Sequence, residues 1–266
     1  MAEGGEARGV AAPVLEARDL TLSWDEGAHV VARGISLSVA AGETVCMVGR
    51  SGCGKTTILH ALAGLTQPLL GQVLLRGEDV TGKPGRVSYM LQKDLLLPNL
   101  RVIDNACLPL TIAGTPREAA RARVRELLGD FGLEGVGDRW PSELSGGMRQ
   151  RVAFLRTYLM GNDVVLLDEP FSALDALTRT QLRGWFCATA RELGLAVVAI
   201  THDVDEAVSM ADRVKVLSGN PAAGVPSTIV ADVVPERPAG LGDEQFALTE
   251  GYLQAKRAVL AALGEG

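Results

Sequence analysis

Four cysteines are all that this 266-residue chain has, and no two of them form a CxxC pair. Cys46, Cys53, Cys107 and Cys187 are scattered, which argues against a zinc site or a disulfide framework and fits a reducing cytosol. A strongly basic tract is missing too: 26 Lys and Arg stand against 32 Asp and Glu, a net charge of −6. Nucleic acid is thereby disfavoured as a partner, because a phosphate backbone calls for a positive patch. No stretch reaches the roughly 18 apolar residues of a membrane span. The first twelve residues, rich in Gly, Ala and Glu, lack the apolar core of a signal peptide. Residues 1–12 are expected to be a flexible tail, and the chain is expected to be soluble by itself. No internal repeat is visible.

What is present begins with 47% hydrophobic residues, enough for one large domain or a domain with a subdomain. The apolar run Thr44-Val45-Cys46-Met47-Val48 leads into Gly49-Arg50-Ser51-Gly52-Cys53-Gly54-Lys55-Thr56-Thr57, and a helical stretch follows to Ala63. A strand, a glycine-rich turn ending in Lys-Thr and a helix make up the P-loop. Its backbone N–H groups curl around a phosphate chain, and the helix N-terminus adds partial positive charge. Lys55 can reach terminal phosphates, and the Thr56 hydroxyl can ligate the Mg²⁺ that travels with a nucleotide. Cys53 is a small loop residue whose alkylation, were the thiol exposed, would block the nucleotide.

Val14 to Trp24 and Ile35 to Val39 alternate as half-buried strands do, with Gly27 and Gly34 expected in the turns between them. Further strands are expected at Leu70 to Gly77 and Val87 to Leu91. Between Lys93 and Trp140 the pattern becomes helical. There Thr115-Pro116-Arg117-Glu118 reads as a capping box, with Gly132 as the helix stop. From Asp163 strands and helices alternate again, and one last helix is expected between Asp243 and Leu263.

Asp168 and Glu169 end the fully apolar strand Val164 to Leu167. Such a strand delivers its terminal carboxylates to the sheet edge where the P-loop sits. Asp168 is then placed for the Mg²⁺ shell and Glu169 for a water facing the terminal phosphate. Ser145, Gly146 and Gly147 open another helix after Leu144 and make a second anion-binding start. One nucleotide does not need two such cradles in one chain.

The ordered set Gly49 to Thr56, Gln92, Leu144 to Gln150, Val164 to Glu169, Ser172-Ala173-Leu174-Asp175 and His202 resembles the nucleotide-binding subunit of ATP-binding cassette (ABC) transporters. The likeness spans about Val14 to Val234. It implies an α/β P-loop NTPase fold with a mixed sheet (a parallel core plus N-terminal antiparallel strands) and a helical subdomain at about 93–160. It also implies ATP and Mg²⁺, and a head-to-tail dimer in which Ser145 and Gly147 contact the γ-phosphate held by the partner's P-loop. Gln92 matches the glutamine linking the Mg²⁺ and water site to the helical subdomain. His202 matches the switch histidine, and Asp175 the loop that communicates across the dimer. Trp24 falls where the family keeps an aromatic that stacks on adenine, with a plain packing role as the alternative.

Lys93 to Pro98, Phe171 to Arg179, Thr201 to Ala207 and Leu217 to Pro221 look like the importer ATPases of the nitrate, sulfonate, taurine and pyrimidine-precursor group. Asn99 departs from the bulky residue that many of that group carry after the proline. The resemblance implies an ATPase at the cytoplasmic face of the membrane, in a homo- or heterodimer. It would work with separate permease subunits and, indirectly, a solute-binding protein. The domain division is then 1–12, 13–235 and 236–266, the last a helical extension. The alternatives are a soluble ATP-driven mechanical switch and the ATPase of an exporter.

Overall fold

The computed structural model describes residues 12–264 apart from Glu26 and Ala239. Ten strands form one mixed sheet: β1 (Pro13–Ser23), β2 (Val30–Ala40), β3 (Thr44–Val48), β4 (Leu70–Leu75), β5 (Glu78–Asp79), β6 (Ser88–Met90), β7 (Val164–Asp168), β8 (Ala196–Thr201), β9 (Arg213–Asn220) and β10 (Val225–Val233). Their order is β5-β4-β1-β2-β10-β9-β3-β8-β7-β6. The run from β9 through β3, β8 and β7 to β6 is parallel, while β1, β2, β4 and β5 pair antiparallel. All residues of β3, β7 and β8 are buried, as strands covered on both faces must be.

Side-chain alternation divides the core in two. Val45, Met47, Val164, Leu166, Val198 and Ile200 pack with Ile58, Leu59 and Leu62 of α1 (Lys55–Leu62) and with the N-terminal strands. Cys46, Val48, Val165, Leu167, Val197 and Ala199 face the other way. That side holds α2 (Val102–Ile112), α3 (Arg117–Leu127), α4 (Gly146–Tyr158), α5 (Ala176–Glu192) and α6 (Val204–Met210), with the short α7 (Asp243–Phe246) and α8 (Glu250–Gly264). The helical subdomain, α2 to α4, lies between β6 and β7 in the chain and meets α5 at an aromatic cluster. Phe154 stands 4.7 Å from Phe186, 5.6 Å from Phe131 and 5.8 Å from Trp185, ring centre to ring centre.

Four local expectations are corrected. Gly34 lies inside β2 at φ 65, opposite a register shift of β1 where Asp19 takes φ 49, so it permits a bulge rather than a turn. The Thr115 capping box does not form. Pro116, extended at ψ 139, is itself the cap of α3, which leaves Thr115 one residue too early. α3 also ends at Leu127, before Gly132. The last helix is two, because Thr249 Oγ1 accepts from the Tyr252 N–H and starts α8 afresh. Of the expected tail, all but Ala12 lies outside the described residues.

Candidate active site

The parallel strands set the site. Val48 pairs with Thr201 and Asp168 with Ile200, so β3, β8 and β7 end level and release three loops at one sheet edge. From β3 comes the glycine-rich loop. Gly54 caps α1 at φ 93, and a Cβ there would stand 2.5 Å from Val31 Cγ1, so glycine alone fits without displacement. Lys55 is 6% exposed, and its Nζ donates to the carbonyls of Gly49 at 2.8 Å and Arg50 at 3.0 Å. The ammonium thus lies across the mouth of the loop at the N-terminus of α1. Cys53 is buried beneath it, and loss of solvent pushes its thiol pKa up. An alkylating reagent has no exposed thiol to meet there.

Thr56 Oγ1 and Asp168 Oδ1 lie 3.5 Å apart, and the Tyr89 hydroxyl donates to Asp168 Oδ2 at 3.2 Å. Burial raises the Asp168 pKa, while the bonds from Tyr89 and Thr56 oppose that rise. Burial and the neighbouring carboxylate together push the Tyr89 phenol up. A hydroxyl and a carboxylate so close make a hard-oxygen pair suited to Mg²⁺, which commonly completes its shell with phosphate oxygens and water. Among the described residues no cluster of three His, Cys, Asp or Glu could hold a metal by itself.

Glu169 has the left-handed φ of 44, and its N–H donates to the Ile200 carbonyl at 3.0 Å. That turn aims its carboxylate between two partners. Gln92 Nε2 donates to Oε2 at 3.4 Å, and His202 Nδ1 lies 3.2 Å from Oε1. Ser172 joins them, its Oγ donating to the Glu169 carbonyl and accepting from Gln92 Nε2. The Gln92 carbonyl accepts from Gln150 Nε2 of α4 at 3.5 Å. Beyond it, Asp94 pairs with Arg149, Arg156 donates to the Leu95 carbonyl, and the buried Asn105 side chain bonds Leu97, Leu100 and Arg101. Gln92 therefore faces the carboxylate with its side chain and the helices with its backbone.

A cavity of about 240 Å³ is lined by Trp24, Ser51, Gly52, Gly54, Lys55, Thr56, Thr57 and Glu169. Trp24, 55% exposed, stands at its mouth and is not packed into a core. Ser145, Gly146, Gly147 and Asp175 do not line it. Ser145 caps α4, its Oγ accepting from the Met148 N–H at 3.3 Å, and Asp175 caps α5 by accepting from Thr178. The Thr178 N–H holds the Asp175 carboxyl below its ordinary pKa. Sequence reasoning passed over Tyr89, Asn105, Arg149 and Arg156. An asparagine inside the apolar stretch of α2 was the one available signal.

The loop, the parallel sheet and the carboxylate edge define a P-loop nucleotide-hydrolysing protein. A family model described as ABC transporter matches residues 32–172. The taurine import ATP-binding protein TauB of Sinorhizobium fredii is 43% identical over 218 residues, which cover 81% of this chain and 82% of that protein. The aliphatic sulfonates import ATP-binding protein SsuB 2 of Burkholderia cenocepacia is 40% identical over 92% of this chain and 87% of its own length. The solved cbiO1 of Clostridium perfringens, part of the ABC transporter complex cbiONQ, superposes with a TM-score of 0.70 at 24% identity. That match covers 79% of this chain and 90% of that one, and it speaks for the fold alone. The chain belongs to the ABC transporter family and is one of its ATP-binding, ATP-hydrolysing subunits.

Proposed function

We propose that two such subunits, identical or different, close head to tail around ATP and that closure drives uptake of a small solute through separate permease subunits. The observation that carries this reading is the separation of the two phosphate cradles. The start of α4 stands apart from the cavity at Lys55, so a partner's Ser145-Gly146-Gly147 would complete each site. The import ATP-binding proteins for taurine and aliphatic sulfonates support the inward direction, and a solute-binding protein would act upstream of the permease. The solute itself would touch the other subunits.

In this reading the ATPase body spans residues 13–235, and 236–266 form a helical extension. Lys55 neutralises phosphate charge, exchanging its bonds to the Gly49 and Arg50 carbonyls for phosphate oxygens. Backbone N–H groups from Gly49 to Thr57, Cys53 included, cradle the chain of phosphates. Trp24 offers its ring to adenine. Thr56, Asp168 and Gln92 would hold Mg²⁺, which supplies charge neutralisation between the phosphates. Glu169 takes a proton from the attacking water, His202 steadies that carboxylate and the γ-phosphate, and Asp175 meets the partner.

Among the described residues no helix is long and apolar enough to cross a membrane. The place proposed from membership of the transporter family is peripheral, at the cytoplasmic face of the membrane. An exposed apolar groove of about 570 Å³ beside Gln92, lined by Leu91, Pro109, Ile112 and Met160 among others, suits a permease segment. Its walls belong to β6, α2 and the end of α4, so a load there reaches Gln92 directly.

The test is Glu169→Gln. It should bind ATP, run as a dimer in ATP by light scattering, and lose about 10²-fold or more in turnover. Undiminished turnover would remove Glu169 from the role of base. Ser145→Arg should spare binding of a fluorescent ATP analogue by the monomer while abolishing hydrolysis, and lost binding would argue against action across the dimer.

A further inference from the structure

Arg179 lies in the first turn of α5 and reaches two loops at once. Its Nη2 donates to the Leu174 carbonyl at 2.9 Å and its Nη1 to Asp203 Oδ2 at 3.4 Å. Each loop has a further attachment. Leu174 Cδ2 is 3.1 Å from where a Cβ on Gly146 would stand, and Thr178 Cγ2 is 3.0 Å from one on Gly147. The loop before α5 and its first turn are thus fitted against the start of α4. Asp203, for its part, closes the turn that carries His202. Its Oδ1 accepts from the Glu206 N–H at 3.0 Å, its own N–H donates to Thr201 Oγ1 at 3.1 Å, and that hydroxyl donates to Glu206 Oε2 at 3.0 Å. His202 lies between Thr201 and Asp203, so its backbone is carried by this ring of bonds while its ring reaches Glu169 Oε1 at 3.2 Å.

We propose that Arg179 is a positioning residue: by tying the Leu174 carbonyl to Asp203, it couples the seating of Gly146-Gly147 to the setting of His202 against Glu169. The proposal rests on the two-cradle reading above, in which those glycines serve the partner's nucleotide and His202 serves the chain's own. Arg179 would then let each site register whether the other is closed. The guanidinium suits this task, because its planar fork serves two acceptors in fixed directions, whereas a lysine ammonium on a flexible stem does not. The route is one of direct contacts, and its coupling is measurable by double-mutant cycle.

The test uses the full chain with Mg²⁺ and ATP, comparing Arg179→Met, Arg179→Lys, Asp203→Asn and the Arg179→Met/Asp203→Asn double variant. Asp203→Asn keeps an oxygen to cap α6 and removes only the charge. Arg179→Met and Asp203→Asn should each lower kcat about tenfold with KM for ATP within about twofold, and the double variant should be no slower than the slower single one. Arg179→Lys should recover only part of the loss. The chain has three histidines, His29, His60 and His202, so ring NMR gives a direct readout. Both single variants should move the His202 resonances and leave the other two in place.

Unchanged kcat, losses that multiply, or a fall in kcat with unmoved His202 resonances would each overturn the proposal. Should Arg179→Met fail to fold, Arg179→Lys carries the same kcat and NMR readouts. Full turnover by His202→Ala would overturn the role given to His202, and this proposal with it. Impaired His202→Ala beside unimpaired Arg179→Met would overturn the proposal alone.

Discussion

Glu206 is 3% exposed, and among the described residues its Oε1 has no hydrogen-bond partner. Thr201 bonds the other oxygen, Asp203 adds a like charge nearby, and Arg183 and Arg179 oppose it from α5. Burial outweighs the rest and lifts the carboxyl from its ordinary 4.5 to about 7. Between those two values the native chain holds a proton that the unfolded chain has released. Native stability from this group therefore falls as pH rises through the interval and levels off above the upper value. From pH 5.5 to pH 8.5 the loss amounts to about 2 kcal/mol.

Glu206→Gln removes that titration and keeps a carbonyl oxygen for Thr201. The variant's stability relative to the parent should rise by about 2 kcal/mol between pH 5.5 and pH 8.5. Urea unfolding at both pH values, followed by circular dichroism, measures this, and comparing the two proteins at each pH cancels every other titrating group. A difference between variant and parent that stays constant within about 0.5 kcal/mol across the two pH values would refute the reasoning.

Gly54→Ala forces a Cβ into Val31 at φ 93, so binding of a fluorescent ATP analogue should weaken at least about tenfold, and near-parental affinity would show that the loop relaxes freely. Phe154→Ala opens the aromatic cluster between the subdomain and α5 and should cost about 3–5 kcal/mol, read as a fall in Tm of about 10 °C. A cost below about 1 kcal/mol would mean that Phe131, Trp185 and Phe186 close the gap.

The parallel core was legible because β7 and β8 carry uninterrupted apolar runs that nothing but a doubly covered strand explains. The glycine loop was legible for the opposite reason, since its residues are a poor choice for anything except wrapping a phosphate. α2 was not singled out: Asn105 and Pro109 break its apolar stripe, and both make sense only against the loop after Gln92 and the groove beside it. The final helix looked continuous because the cap at Thr249 uses a hydroxyl that also suits a helix interior. Within the site, strand ends announced Asp168, Glu169 and His202 separately. Their bonding did not show, because the φ of Glu169 is imposed by Ile200 and Ser172 and not by its own residue type.

That imposed turn bears on how the site can be switched. The bond from Gln92 to Glu169 is long, 3.4 Å, and easily given up, whereas the chain beyond Gln92 is held to α2 and α4 by charged and buried bonds. A rotation of the helical subdomain would therefore carry residues 93–97 with it and break first at Gln92. Glu169 would stay, because its backbone is fastened to β8 and its carboxylate to His202. At Glu169 itself the helical subdomain is thus joined through the Gln92 amide, by the long bond to the carboxylate and a second bond to Ser172 Oγ at 3.2 Å. In the proposed cycle the subdomain can approach and leave the Glu169 carboxylate without the sheet edge being rebuilt each time.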